Sequence, residues 1–121
     1  MNFTEEWTMK TDRPWGSYSV IHDSKSTKVK SITVLPRQRL SYQSHKNRSE
    51  HWIIVEGEAE VTLQGVTKTY HSGQYVFIPA LAKHRVANLG DLELTFIEVQ
   101  TGSSFDEEDI VRYDDDYGRA K

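Results

Sequence analysis

Four side chains from two separate segments are of the types that bind a divalent metal ion: Gln43, His45, Glu50 and His84. Gln43 and His45 are two residues apart, so on a strand both would point to the same face. Glu50 opens the next strand-like run after a short turn, and His84 opens another run after Pro79. An amide oxygen, two imidazoles and a carboxylate suit Zn²⁺, Mn²⁺, Fe²⁺, Co²⁺ or Ni²⁺. If the two segments lie side by side inside a barrel, we expect them to hold one such ion, with Zn²⁺ preferred.

The remaining histidines fit packing or surface roles better than ligand roles. His51 directly follows Glu50, so on a strand its ring would point to the opposite face from Glu50. We expect His22 and His71, too, to be surface or core residues and not metal ligands. By contrast, turning all four candidate ligands inward costs free energy unless a bound group compensates their burial. That cost favours a metal site at those four positions.

The elements that must hold these residues are short strands. Runs rich in Val, Ile, Thr and aromatic residues are separated by Gly, Pro or Asn turns, and most alternate apolar with polar side chains. The predicted strands are 17–22, 27–35, 50–55, 59–63, 74–78, 84–88 and 92–99. Their regular spacing predicts an all-β sandwich or barrel. Helix is expected only near the ends, over 4–10 and over 104–111, where Ser104 and Glu107 resemble a capping box.

The length and composition favour a single globular domain over residues 1–121. With 121 residues and no cysteine, the chain has room for one hydrophobic core and excludes disulfides, a thiolate nucleophile and Cys-ligated metal. The net charge is −3, and the seven acids and one arginine of 106–116 contribute −6 of it, which leaves about +3 for the rest. We expect an acidic, solvated tail over 106–121 and no nucleic-acid binding.

Membrane segments are not expected either. The chain has no apolar run of the roughly 20 residues that cross a bilayer, and its first residues do not form a signal peptide. These features predict a soluble, cytoplasmic protein without membrane contacts.

Two segments resemble the paired motifs of the cupin superfamily, Gly-x5-His-x-His-x3,4-Glu-x6-Gly and Gly-x5-Pro-x-Gly-x2-His-x3-Asn. In the first, over 36–57, Gln43 stands at the first His position, whereas His45, Glu50 and Gly57 match. In the second, over 73–88, the matching residues are Gly73, Pro79, His84 and Asn88. Pro36 and Leu81 stand where the motifs have Gly. The resemblance implies a cupin double-stranded β-helix, a jelly-roll barrel, with short terminal helical segments.

A narrower resemblance covers about 12–119. It is to the type II mannose-6-phosphate isomerase (phosphomannose isomerase) domain of the bifunctional mannose-1-phosphate guanylyltransferase/mannose-6-phosphate isomerases. That family also has Gln at the position of Gln43, and it differs from this chain at Asn47, Glu58 and Leu81, where it has His, Thr and Gly. The matching residues are Arg13-Pro14-Trp15-Gly16, Val29-Lys30, Leu40-Ser41, Gln43-x-His45, Arg48-x-Glu50-His51-Trp52, Ile78-Pro79, His84-Arg85, Asn88, Glu98-Val99-Gln100-x-Gly102, Glu108-Asp109-Ile110-Val111-Arg112 and Asp116-Tyr117-Gly118-Arg119.

The resemblance implies metal-dependent interconversion of mannose 6-phosphate and fructose 6-phosphate in GDP-mannose biosynthesis. This reaction needs a Lewis acid at the sugar oxygens, a group that moves a proton between C2 and C1, and cations for the phosphate. Lys30, if it points into the barrel, would stabilise the enediolate or bind substrate, and Arg48 would bind phosphate in a bidentate fork. Glu98 is the candidate proton-transfer base. Arg112 is a further substrate-binding candidate, with Arg119 behind it.

Other interpretations stay open at this point. Arg48 would serve a structural salt bridge to Glu56 or to the acidic tail nearly as well. The chain could also be a non-catalytic cupin that binds a metal and a sugar phosphate as a regulatory or partner module, and Asn47 and Leu81, expected near the pocket rim, favour this modestly. An oxygenase or an epimerase ranks lower. For assembly we expect a homodimer, with outward-facing Ile53 and Val55 available to a partner.

Overall fold

The computed structural model describes residues 9–120, which form two antiparallel sheets packed face to face. One sheet has the strand order β1-β2-β3-β10-β5-β8 and the other has β11-β4-β9-β6-β7. Within 9–120 no helix is long and apolar enough to cross a membrane. The strands are β1 Lys10–Arg13, β2 Gly16–Asp23, β3 Thr27–Val34, β4 Tyr42–Ser44, β5 Arg48–Glu56, β6 Ala59–Leu63, β7 Val66–Tyr70, β8 Tyr75–Ile78, β9 His84–Ala87, β10 Leu94–Gly102 and β11 Val111–Asp114.

The hydrophobic core lies between the sheets because alternate residues of the central strands point inward. Trp52, Ile54, Ile78, Leu94 and Phe96 are nearly inaccessible to solvent. Burying a side chain of this size contributes roughly 1.5–3 kcal/mol each, so the strands are held by the inward face of their period-two pattern.

One end of the barrel interior is polar instead of apolar. Along β5 the inward positions change from Arg48 and Glu50 to Trp52 and Ile54, and along β10 they change in the opposite direction, ending at Glu98 and Gln100. Because the strands are antiparallel, the polar halves meet: Glu98 pairs with Trp52 and with Lys30, and Gln100 pairs with Glu50. The fold therefore collects buried charges at a single end.

The seven predicted strands are confirmed with small shifts at their ends, and so is the all-β architecture that they predicted. The structure adds β1, β4, β7 and β11, which the sequence pattern did not predict. These four are short or largely exposed, so they lack the alternation of apolar residues that marks a half-buried strand.

The predicted C-terminal helix over 104–111 is wrong. This segment contains a turn at 107–108 and continues into β11. Asp106 accepts a hydrogen bond from the Glu108 backbone N–H, and Asp109 accepts two from the backbone of Lys46 and Asn47. These bonds hold the segment on the barrel and outweigh the capping pattern. In the predicted N-terminal helix, residues 4–8 lie outside the described residues, and Lys10 begins β1.

The acidic tail is bound to the barrel and is not merely solvated as expected. Arg39 pairs with Asp116 at 2.7 Å, and Arg85 pairs with Asp114 at 3.1 Å. The mildly basic body therefore holds the acidic tail by opposite charge. On the outer surface, Ile53 and Val55 are exposed, and the homodimer that would use them stays a prediction.

Candidate active site

A cavity of about 140 Å³ opens at the polar end of the barrel. Three carboxylates line it, those of Glu50, Glu98 and Glu107. Basic side chains also face it, and the apolar part of its wall includes Trp15 and Ile32. The basic residues in the wall are Arg13, Lys30, His45, Arg48, Arg112 and Arg119.

His45, Glu50 and His84 form a compact cluster in this end of the barrel. All three residues are buried, and one ligand atom from each lies within 4.8 Å of the others. Glu50 comes from β5 in one sheet, whereas His84 begins β9 in the other and His45 follows β4. The packing of the two sheets thus brings together three residues that are far apart in the sequence. This cluster could hold a metal ion.

The distances within the cluster suit a shared cation. His45 Nδ1 lies 3.5 Å from Glu50 Oε2, and His84 Nε2 lies 3.6 Å from Glu50 Oε1. Both separations are too long for a hydrogen bond. With metal–ligand bonds of about 2.0–2.2 Å, two ligand atoms on a tetrahedral ion are about 3.3 Å apart, close to both values.

The orientation of His84 also fits a ligand role. Its Nδ1 lies 3.0 Å from the carbonyl oxygen of Ala82, and since a carbonyl can only accept, Nδ1 carries the proton. Nε2 is therefore the nitrogen that faces away from this bond, and this buried atom has no hydrogen-bond partner among residues 9–120. A backbone carbonyl that fixes the tautomer in this way is the usual partner of a metal-binding imidazole.

Gln43 lies beside the cluster. It is the cross-strand partner of His84 in the pairing of β4 with β9, and it lines the cavity. Its Oε1 accepts a hydrogen bond of 2.9 Å from the Ser41 hydroxyl. The amide oxygen is therefore positioned next to the three-residue cluster, where it could serve as a fourth ligand.

Glu50 is held ionised by its neighbours. Its carboxylate accepts hydrogen bonds from Arg48 Nε at 3.0 Å and from Trp52 Nε1 at 3.2 Å. Burial alone would raise the pKa of this carboxyl, but His84, His45 and Arg48 outweigh burial and keep the pKa below its usual range. Burial lowers the pKa of His45 to about 4. An ionised carboxylate flanked by imidazole nitrogens is a donor set that binds a cation.

Glu98 is the opposite case among the buried carboxyls. It accepts hydrogen bonds from Trp52 Nε1 at 3.1 Å and from Gln100 Nε2 at 2.8 Å. Burial and the nearby negative charge of Glu50 raise its pKa to about 8. Two neighbouring carboxyl groups with separated proton affinities are a common arrangement for acid–base chemistry.

The cations that were expected to bind substrate are largely engaged by carboxylates of the chain itself. Lys30 does point into the barrel, where its Nζ donates to both oxygens of Glu107 at 2.9 Å. Arg48 makes its hydrogen bond to Glu50, and its Nη1 lies 3.9 Å from Glu107 in the acidic tail. Glu107 thus forms an ion pair with Lys30 and lies near Arg48, although it is distant from both in the sequence.

Arg112 faces the same cavity from β11, next to Gln43 in the register of β4 and β11. Arg119 also lines the cavity, but two of its guanidinium nitrogens donate to Asp115. The fold therefore gathers all the candidate residues at one end of the barrel. They differ in how far a neighbouring opposite charge neutralises each of them.

Two of the three departures from the family pattern, Asn47 and Leu81, are not among the residues that line the cavity, and their expected place near its rim stays a prediction. Leu81 is 68% exposed, and its φ of 72° explains why the pattern has Gly there. Asn47 uses its backbone to bind Asp109 and Ser103. Among the other histidines, His51 stacks against Phe77 and Tyr75 on the outer face.

Sequence reasoning missed three residues of the site. Trp52 matches the family pattern without a predicted role in the site, yet its indole N–H bridges Glu50 and Glu98. Glu107 was assigned to a helix in a solvated tail, and no local pattern marks it as the partner of Lys30. Arg13 stood among the residues matching the family but was given no role, so that match was the available signal.

Solved structures similar to this one are cupins and related proteins. Oxalate decarboxylase from Bacillus subtilis aligns with a TM-score of 0.79 at 18% identity, over 92% of this chain and 31% of that one. An RmlC-like cupin from Shewanella frigidimarina aligns with a TM-score of 0.75 at 20% identity, over 87% of this chain and 91% of that one. At these identities the similarity concerns the fold alone.

Sequence relatives are more specific. The chain is 47% identical over 113 residues to the xanthan biosynthesis protein XanB of Xanthomonas campestris, which covers 93% of this chain and 24% of that protein. It is 48% identical to the alginate biosynthesis protein AlgA of Pseudomonas aeruginosa and 44% identical to mannose-1-phosphate guanylyltransferase of Escherichia coli, each over 88% of this chain and 22% of the relative. It thus spans about a quarter of these proteins. The model of the family "Mannose-6-phosphate isomerase C-terminal" matches residues 2–115, and the chain belongs to that family.

Proposed function

We propose that this chain is a metal-dependent aldose–ketose isomerase that interconverts mannose 6-phosphate and fructose 6-phosphate. The observation that carries the proposal is the cluster of His45, Glu50 and His84, which shares its cavity with Lys30 and with the buried acid Glu98. Family membership supports it, and the names of the relatives suggest a role in supplying mannose phosphate for GDP-mannose. These features correspond to the Lewis acid, the cation and the proton-transfer group that such a reaction requires.

The metal would be held by the nitrogen atoms of His45 and His84, by the Glu50 carboxylate and by the Gln43 amide oxygen, with Zn²⁺ the preferred ion. When bound, a divalent ion of this kind polarises the carbonyl and hydroxyl oxygens of a sugar. Arg48 and Trp52 hold the Glu50 carboxylate in place, because each donates a hydrogen bond to one of its two oxygens. They would thereby set the direction in which Glu50 faces the cavity.

Glu98 would move the proton between C2 and C1. In the structure its raised pKa depends in part on repulsion from Glu50, so neutralising the charge of Glu50 would lower that pKa. Glu98 would then lose its proton more readily and could accept one from the substrate carbon. The hydrogen bonds from Trp52 and Gln100 fix its carboxyl against the cavity.

Lys30 would stabilise the negative charge that develops on the substrate oxygens during enolisation. Its side chain is only 5% exposed, and in such a site a fixed ammonium is worth more than in water because solvent screening is weak. Arg48 would act nearby, chiefly by compensating Glu50. Both cations would thus serve the reacting end of the sugar.

A coupled assay for fructose 6-phosphate formed from mannose 6-phosphate tests the proposal. The purified chain is treated with chelator and then assayed with each of Zn²⁺, Mn²⁺, Co²⁺, Fe²⁺ and Ni²⁺. We expect activity only with metal, its loss in His84→Ala, and its retention in His71→Ala, because His71 is an exposed histidine outside the cluster. Metal bound by wild type and lost in His84→Ala, but without turnover under any ion, would favour the alternative of a non-catalytic binding module.

A further inference from the structure

The arginines of this chain fall into two groups. Five of the seven form ion pairs with carboxylates: Arg37, Arg39, Arg48, Arg85 and Arg119. Within residues 9–120 the other two, Arg13 and Arg112, have no ion-pair partner, and both line the cavity described above. An unpaired cation at a cavity wall is available to an anionic ligand.

Arg112 is the stronger evidence for an anion site because its side chain is partly buried, whereas Arg13 is exposed. Its Nε is buried and has no hydrogen-bond partner among the described residues. Burial lowers its pKa, and the positive charges of Arg119 and Arg13 lower it further, whereas Asp115 acts in the opposite direction. Arg13, Arg112 and Arg119 all line the same cavity, so a bound anion would offset their mutual repulsion and satisfy the unpaired Nε of Arg112.

Arg13 is oriented by an aromatic residue of the same wall. Its guanidinium lies 5.2 Å from the ring centroid of Tyr18, and its Nη2 donates to the Tyr18 hydroxyl at 3.3 Å. Lys30 lies over the same ring, 4.2 Å from its centroid. Tyr18 thus contacts both the buried cation, Lys30, and the exposed cation, Arg13.

The buried cations, Lys30 and Arg48, are poorly placed to receive a second anion. Glu107 already offers both its oxygens to Lys30 and lies near Arg48, which is itself bound to Glu50. A phosphate there would have to displace one carboxylate and face the charge of another. Arg13 and Arg112, by contrast, form no ion pair with a carboxylate among the described residues, and Arg112 Nε has no hydrogen-bond partner there.

We propose that Arg13 and Arg112 form the binding site for the phosphate group of the substrate, a phosphate monoester dianion. The assignment deepens the proposed function and rests on it for the identity of the sugar, while the anion site itself depends only on the two arginines. Guanidinium groups bind phosphate oxygens through paired hydrogen bonds. Because Arg112 is the cross-strand partner of Gln43, the phosphate would bind one strand away from the candidate metal ligands.

The test is the titration of inorganic phosphate into the ¹⁵N-labelled full chain, followed through the arginine Nε–H signals by NMR. Arg112→Gln and Arg13→Gln are compared with Arg37→Gln, which removes the same charge from an exposed pair with Asp91. We expect the Kd for phosphate to rise roughly tenfold or more in each of the first two variants, as the loss of a charged hydrogen bond predicts. Arg37→Gln should change it less than twofold. Arg13 is exposed, so Arg13→Gln keeps the test valid even if Arg112→Gln folds poorly.

Two results would overturn the site. One is unchanged phosphate affinity in both cavity variants. The other is tighter binding in Glu107→Gln without an effect of Arg112→Gln, which would place the phosphate on Lys30 and Arg48. The two proposals fail separately: phosphate binding that depends on Arg13 and Arg112 without isomerisation refutes only the proposed function. Isomerisation with a KM for mannose 6-phosphate that neither variant changes refutes only the phosphate site.

Discussion

The buried ion pair of Arg48 and Glu50 should be worth far more than an exposed pair of similar geometry. Arg48 Nε lies 3.0 Å from Glu50 Oε2, and the two side chains are only 7% and 3% exposed. Removing one partner of such a pair leaves an uncompensated charge in a region of weak screening, which costs about 3–5 kcal/mol. We therefore expect Arg48→Met and Glu50→Gln each to lower the free energy of unfolding by that amount. Glu50→Gln should lie at the lower end, since Glu107 is 3.9 Å from Arg48 Nη1.

The measurement is urea denaturation at pH 7.5 in the presence of chelator, for wild type, the two single variants and the double variant. Because the double variant buries neither charge, it should cost no more than either single change, so the coupling energy should be at least about 3 kcal/mol. The control cycle uses Arg37→Met and Asp91→Asn, whose side chains are 66% and 82% exposed. That pair should contribute less than about 1 kcal/mol.

Two outcomes would refute this reasoning. If the double variant lost the sum of the two single losses to within about 0.5 kcal/mol, the charges would not be coupled. If Arg48→Met were as mild as Arg37→Met, burial would not set the size of the effect. Either result would mean that the polar end of the barrel is more accessible to water than the structure shows.

Three further predictions concern acid stability, the buried acid and the backbone. Hydrogen bonds from Arg119 lower the pKa of Asp115 to about 2, so ionised Asp115 stabilises the fold fully above about pH 4, and this stabilisation is lost as the pH falls through 2. In urea titrations, Asp115→Asn should lack that loss of stability at low pH. An acid transition unchanged in the variant would contradict this prediction. Because burial raises the pKa of Glu98 to about 8, the free energy of unfolding of wild type should fall relative to that of Glu98→Gln as the pH rises from about 4.5 to 8, measured by urea unfolding in chelator; parallel pH profiles of the two proteins would contradict it. Gly102→Ala would put a Cβ 2.2 Å from a backbone carbonyl oxygen and should lower the free energy of unfolding, measured by thermal unfolding, by at least about 3 kcal/mol. Gly65→Ala, whose new Cβ would have no described atom within 4 Å, should cost about 1 kcal/mol. Equal losses in the two variants would contradict this prediction.

Much of the fold was predictable from the sequence because half-buried strands carry a period-two pattern. The run at 59–63 coincides with β6, and the other predicted strands differ from the observed ones by a few residues at their ends. The candidate metal ligands were also predictable as a set, since imidazole, carboxylate and amide side chains at motif spacing are uncommon in a barrel interior. The structure brings His45, Glu50 and His84 to within 4.8 Å, and a bound metal ion stays a prediction.

Errors arose where a distant partner outweighed local preference. The segment 104–111 has a helix-capping pattern, but hydrogen bonds that the backbone N–H groups of Lys46 and Asn47 donate to Asp109 hold it on the barrel. Such bonds are invisible in a window of ten residues, because they depend on which strands the fold places side by side.

The strands, the inward positions and the chemical types at the polar end of the barrel follow from local properties, namely alternation and residue type, so they could be predicted from the sequence. Which charges neutralise one another depends on the three-dimensional packing. Glu107 reaches Lys30 across 77 residues, and Arg48 is taken up by Glu50, while Arg13 and Arg112 stay unpaired among the described residues. Electrostatic energy depends on separation in space and on exclusion of water, and both are set only when the two sheets pack together.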